Sequence, residues 1–190
     1  MTGLARRLAG ALPRYLRIAW WGLVSPRVLE REPLVVYQGV IFSDRGVLLS
    51  VRSDLRGWEL PGGNAGPGES AEAALRREVL EETGLEIAVG REVGRYVRTG
   101  FRPYTARVFA CRVVGGSLRP SEETPVVRWS DPRALPSTLF AWYRAPLADA
   151  LSGLPEPVVR HEYQGVRAVL AAMGIDLRMR LSGDRAGWAP

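Results

Sequence analysis

The chain has 190 residues, 46% of them hydrophobic and 24% charged, which suits one soluble globular domain with short extensions. Its formal net charge is +6, and all 26 basic residues are arginine. The absence of lysine excludes a P-loop lysine, a Schiff-base lysine and Ser-Lys catalysis. The basic surface attracts anions, and arginine-rich codon usage accounts for it equally well.

The first 31 residues hold Arg6, Arg7, Arg14, Arg17, Arg27 and Arg31 against one acid, Glu30. Pro13, Arg14 and Arg17 break the apolar run that a secretory signal needs. Residues 18–26 are uncharged and include Trp20 and Trp21. The reading taken is a helix packed on the domain, with a peripheral contact to an anionic bilayer as the alternative. No run of 18 or more apolar residues exists, so no membrane span is expected.

Residues 34–42 are rich in β-branched and aromatic side chains and predict a strand. A turn at Ser43-Asp44-Arg45-Gly46 leads to a second strand over 47–52, so the pair reads as a hairpin. Residues 53–68 carry Gly57, Pro61, Gly62, Gly63, Gly66, Pro67 and Gly68 and are expected to be loop. A helix is predicted over 69–83, with acids Glu69 and Glu72 in its first turn and Gly84 at the position of a C-terminal cap. Strands are predicted around 87–97, 104–114 and 126–130, and helices over 138–151 and 161–173, with a loose tail after Ser182.

Cys111, alone in its type, permits no intrachain disulfide and sits in an apolar β-like run, where a small buried residue is expected. The single histidine, His161, has no cysteine or second histidine with which to share a metal and is read as a surface or helix residue. No G-x-S-x-G supports a histidine-based hydrolase. A cytoplasmic location fits the cysteine usage.

The chemistry concentrates in Arg77-Glu78-Val79-Leu80-Glu81-Glu82-Thr83-Gly84-Leu85. Glu78, Glu81 and Glu82, at i, i+3 and i+4, share an arc of roughly 100° on a helix. Arg77 points to the side of that arc on helical angle alone. Like charges so placed destabilise a helix, and a solvated acidic face is the ordinary explanation. Two features argue against it: the rest of the chain is basic, and the cluster follows a glycine-rich loop. A divalent cation would relieve the repulsion.

Residues 63–85 resemble the Nudix box, G-x5-E-x7-R-E-U-x-E-E-x-G-U with U a bulky aliphatic residue. Gly63, Glu69, Arg77, Glu78, Val79, Glu81, Glu82, Gly84 and Leu85 fill every specified position. A chance match is on the order of one in a million or rarer at ordinary residue frequencies. The resemblance implies an α/β fold, a Nudix-type α/β/α sandwich with a mixed β-sheet, over residues 32–152. Residues 1–31 would be a basic helical segment, and 153–190 a helical extension with a loose tail.

The resemblance also implies an enzyme, a Nudix hydrolase splitting a diphosphate bond in a nucleotide or nucleoside diphosphate derivative with Mg²⁺ or Mn²⁺. Glu78 and Glu82 would be the main ligands, Glu81 a third, direct or through water, and the Gly63 carbonyl would reach the ion. Arg77 would hold the glutamates by ion pairing, and Glu69 would support the loop. Glu122 and Glu123 are candidates for a further loop acid, against a solvated turn. Arg52, Arg95, Arg98, Arg102 and Arg107 are candidates for holding phosphates, against exposed strand faces. Trp58, Tyr96, Phe101, Tyr104 and Trp129 are candidates for stacking on a base, against core packing. The rivals are a non-catalytic nucleotide-binding or regulatory module, a nucleic-acid binder and a related isomerase acting on a prenyl diphosphate, the last needing a catalytic cysteine for which Cys111 in a strand is a poor candidate. The first would be expected to lose box glutamates, and no nucleic-acid-binding motif supports the second. The expected partner is a small molecule, with a homodimer left open.

Overall fold

The computed structural model describes residues 34–181 together with Pro13, Leu16 and Trp20, which are helical and exposed. The remainder of the expected N-terminal helix and the tail after Ser182 lie outside the described residues.

Strand β1 (Leu34–Ser43) turns into β2 (Gly46–Val51), with Phe42 opposite Val47. Both strands are apolar on two faces. Val40, Val47, Leu49 and Val51 enter one core, while Ile41 and Leu48 enter another. Burial on both sides explains why these runs are nearly continuously hydrophobic rather than alternating. The stretch expected to be all loop contains two short strands, β3 (Trp58–Glu59) and β4 (Gly62–Asn64). β3 pairs with β2, and β4 pairs with β1. The hairpin supplies their hydrogen-bonding partners, so glycine and proline do not exclude pairing over two or three residues.

Helix α1 (Ala71–Thr83) starts two residues later than predicted, because Ser70 is its N-cap and accepts the Ala73 N–H. Gly84 ends it at φ 73°, its N–H on the Leu80 carbonyl. Long strands β5 (Leu85–Gly100) and β6 (Tyr104–Gly116) follow, then β7 (Val126–Ser130). The helix expected from residue 138 is a single 3₁₀ turn (Ala141–Tyr143) leading into α2 (Arg144–Ser152).

The helix predicted over 161–173 is a correction. Val158–Gln164 is strand β8, and α3 (Val166–Leu181) begins only after Gly165. β8 lies parallel to β5 and is mostly exposed, so it lacks the alternation that marks a half-buried strand. His161 is exposed on it.

The sheet runs β3-β2-β1-β6-β5-β8, with β4 on β1 and β7 on β2. β1 is parallel to β6 and β8 to β5, while the other pairs are antiparallel, so the sheet is mixed. Leu75 and Val79 of α1 pack with Ile41, Leu48, Ile87, Phe109 and Cys111 on one face. Burying each of the leucine, isoleucine, valine and phenylalanine side chains among them contributes about 1.5–3 kcal/mol. Tyr143, Leu147 and Ala150, with Ala172 and Met179 of α3, pack on the other face. The result is an α/β/α sandwich. Burial pushes the Cys111 thiol up to about 12, which suits a core residue and not a nucleophile. Among the described residues no helix is long and apolar enough to cross a membrane.

Candidate active site

α1 presents its acidic arc to the short strand β4. The Gly62 N–H donates to Glu82 Oε2 at 3.0 Å. A Cβ on Gly63 would stand 2.4 Å from the Glu78 carboxyl carbon and 2.6 Å from each oxygen, which no side chain can do. Glycine at 63 therefore permits this close approach, and any side chain there would have to displace the Glu78 carboxylate. Thr124 donates its hydroxyl to the Glu82 carbonyl and ties the loop before β7 to the end of α1.

Arg77, expected from helical angle to point aside, reaches back along its long side chain. It donates to both oxygens of Glu69 at 3.0 Å, to Glu78 at 2.9 Å, to Glu81 at 3.3 Å and to the Asn64 carbonyl at 3.1 Å. Glu69 also accepts the Gly66 N–H, so one ion-pair network joins the loop to the helix. The three box acids divide: Glu78 and Glu82 face Gly62–Gly63, whereas the Glu81 side chain is 60% exposed and turned toward Arg77. Among the described residues no three acidic, histidine or cysteine side chains stand together as a finished ligand cage.

The electrostatics are unusual for a surface helix. Glu82 is 5% exposed, and burial pushes its carboxyl up to about 7. The charges of Glu78 and Glu123 add to that, while the Gly62 N–H and Arg52 oppose it. Glu59 of β3 is raised well above the usual carboxylate range, chiefly by burial, with Glu82 and Asp54 adding and Arg52 opposing. The Tyr143 hydroxyl donates to Glu59 at 3.3 Å and receives the Gln38 amide at 3.2 Å.

Arg52 is the cation beside these acids. It is held by Asp54 in two parallel bonds of 3.0 and 3.1 Å and reaches Glu123 at 3.1 Å. Burial works to lower the Arg52 guanidinium, but Asp54, Glu59 and Glu123 outweigh it, so it stays charged. The structure thus brings Gly63, Glu78, Glu82, Arg77 and Arg52 into one region, and Glu123, exposed like its neighbour Glu122, joins it through Arg52.

The other arginine candidates go elsewhere. Arg98 is a correction: its side chain is fully buried, paired with Glu162 at 2.9 Å and bonded to the Tyr104 hydroxyl and the Trp142 carbonyl. It lies over the rings of Tyr96, Tyr104 and Tyr143, a core cation with no open side for phosphate. Arg95 is half-exposed and pairs with Glu92, which also holds Arg107 bidentately. Trp58 and Tyr96 are core residues.

Glu59 and Asp54 escape sequence reasoning. Glu59 carries a weak signal, a single acid between Trp58 and Leu60, whereas Asp54 sits in a stretch that reads as ordinary loop.

Residues 33–151 match the NUDIX domain. A MutT-like protein of Streptomyces ambofaciens is 38% identical over 73% of this chain and 91% of its own length. A putative 8-oxo-dGTP diphosphatase of Bacillus subtilis is 32% identical over 69% of this chain and 88% of its own. The crystal structure of an ADP-ribose pyrophosphatase from Streptococcus suis superposes with a TM-score of 0.56 at 25% identity, covering 68% of this chain and 99% of that one. With its complete box folded against Gly62–Gly63 in an α/β/α sandwich, the chain belongs to the Nudix family.

Proposed function

We propose that this protein is a divalent-metal-dependent hydrolase that adds water across a diphosphate bond of a nucleotide or nucleoside diphosphate derivative. The observation that carries the reading is the Glu82 carboxylate, buried on α1 beside other acids, with Glu78 pressed against a backbone that has no room for a Cβ. A buried carboxylate among acids is costly unless a cation joins it.

The residues present fit Mg²⁺ or Mn²⁺. The donors are all hard oxygens, from Glu78, Glu82 and the Gly63 backbone, with Glu81 able to join directly or through water. Such an ion, when bound, neutralises diphosphate oxygens and lowers the pKa of the attacking water. The protein's own share is positioning. Arg77 keeps Glu69, Glu78 and Glu81 in one network, and the Gly62 N–H fixes the Glu82 carboxylate. A carboxylate of this cluster takes the proton from water as phosphorus is attacked in line and the second phosphate leaves. Arg52, locked by Asp54, grips a phosphate of the substrate from the rim. No serine, cysteine or lysine nucleophile is required.

The test is a panel of nucleoside triphosphates, dinucleoside polyphosphates, nucleotide sugars, 8-oxo-dGTP and ADP-ribose, each with Mg²⁺, Mn²⁺ or EDTA. The last two substrates lead because similar proteins are named for them. Glu82→Gln is expected to lower turnover by about a hundredfold or more while leaving circular dichroism unchanged. A variant at wild-type rate would overturn the assignment, and tight nucleotide binding without turnover by the wild type would mark a binding module instead.

A further inference from the structure

We propose that the C-terminal helix α3 belongs to the active-site machinery, with Asp176 and Arg180 acting as positioning residues for Arg52. The inference rests on the hydrolase reading above. It adds a role for a segment beyond residue 151, where the match to the NUDIX domain ends.

The connection is a chain of direct contacts. Asp176 Oδ1 accepts the backbone N–H of Arg56 at 2.7 Å, and its Oδ2 accepts Arg180 Nε at 2.7 Å. Arg180 then donates to the backbone carbonyl of Asp54 at 3.0 Å. The loop is thus pinned on both sides of Leu55, which itself packs on the core. With its backbone held, Asp54 directs both carboxylate oxygens at Arg52. Arg52 stands where Glu59, Glu82 and Glu123 all attract it. An arginine among several acids has several geometries open to it, and the bidentate Asp54 contact selects one.

The energetics point to positioning, not bulk stability. The Asp176–Arg180 pair is buried, at 0% and 8% side-chain exposure. Two charges taken out of water gain little net stability over an apolar pair of the same size. Ala172 and Met179 already anchor α3 in the core, with Ile175 packed against it. What the charged pair adds is two hydrogen bonds to the backbone of the loop that carries Asp54.

The experiment is a mutant cycle on the full chain: wild type, Arg52→Met, the apolar pair Asp176→Leu with Arg180→Met, and all three changes together. Two quantities are read beside the melting temperature. One is KM and kcat on 8-oxo-dGTP or ADP-ribose with Mg²⁺. The other is calorimetric affinity for α,β-methylene-ADP, a non-hydrolysable diphosphate, in EDTA. The apolar pair is expected to stay folded, to raise KM and weaken the analogue by about tenfold each, and to leave kcat within about threefold. On the Arg52→Met background it should add nothing, because the residue it positions is gone. Effects that multiply on that background, or a clamp variant with wild-type KM and affinity, would overturn the proposal. Should the apolar pair unfold the chain, Asp176→Asn takes its place in the same cycle. A wild type that turns over no diphosphate refutes the hydrolase reading, and the calorimetric arm still decides the clamp.

Discussion

At the scale of single residues, the informative position is Gly63. Its Cα lies so near the Glu78 carboxylate that one added methyl would displace an acid or push β4 off β1. Gly63→Ala is therefore expected to cut turnover by roughly a hundredfold while changing stability by only about 1 kcal/mol. Turnover within twofold of wild type, with an unchanged melting temperature, would show that this contact carries no catalytic weight. Arg98 and Arg52 make the contrast between two arginines that look alike in sequence. Arg98 is enclosed by three tyrosine rings and committed to Glu162, whereas Arg52 stands at the edge of the acid cluster.

At the scale of elements, α1 is the best-specified part of the chain. Ser70 caps its start, Leu75 and Val79 seat it on the sheet, and Gly84 stops it in the left-handed region. That stop turns the chain directly into β5, which begins at Leu85. Gly84→Ala forces φ 73° on a residue with a side chain, and its Cβ would meet the Ser117 carbonyl at 2.6 Å. A loss of about 1–3 kcal/mol is expected in a urea titration, with the slope unchanged. A midpoint equal to wild type would mean that another residue ends the helix. β8 shows the opposite case. With Val159, His161 and Tyr163 all exposed, it has no buried face to announce it, and its pairing with β5 makes it a strand.

At the scale of the whole molecule, ion pairs join distant elements. Asp149 of α2 accepts Arg160 of β8 through both oxygens and the Tyr96 hydroxyl of β5. Arg160 holds the Asp149 carboxyl below its usual range, burial pushes the other way, and Tyr96 adds to the lowering. A carboxyl lowered on folding contributes stability above its unfolded pKa of about 4, and the contribution disappears as pH falls through the lower folded value. Asp149→Asn should therefore cost about 1–2 kcal/mol at pH 7, the Arg160 side being half-exposed. The gap to wild type should narrow as pH drops below about 4. A gap constant from pH 7 to pH 3 would show that the charge of Asp149 is not what stabilises the junction.

The sequence by itself determined the hairpin, the body of α1 with its glycine stop, and the box acids, and the resemblance of those residues to the Nudix box implied the fold class. The hairpin, the helix and the box depend on periodicity and spacing within some twenty neighbouring residues, which the chain carries openly. Only the tertiary structure decided that Glu59 is buried beside Glu82, that Arg98 is core, that β8 is a strand and that α3 grips the Asp54 loop. Those outcomes join residues far apart in the chain; Arg56 and Asp176, for example, are 120 positions apart. No local pattern encodes such a pairing, because burial and charge compensation are properties of the packed whole.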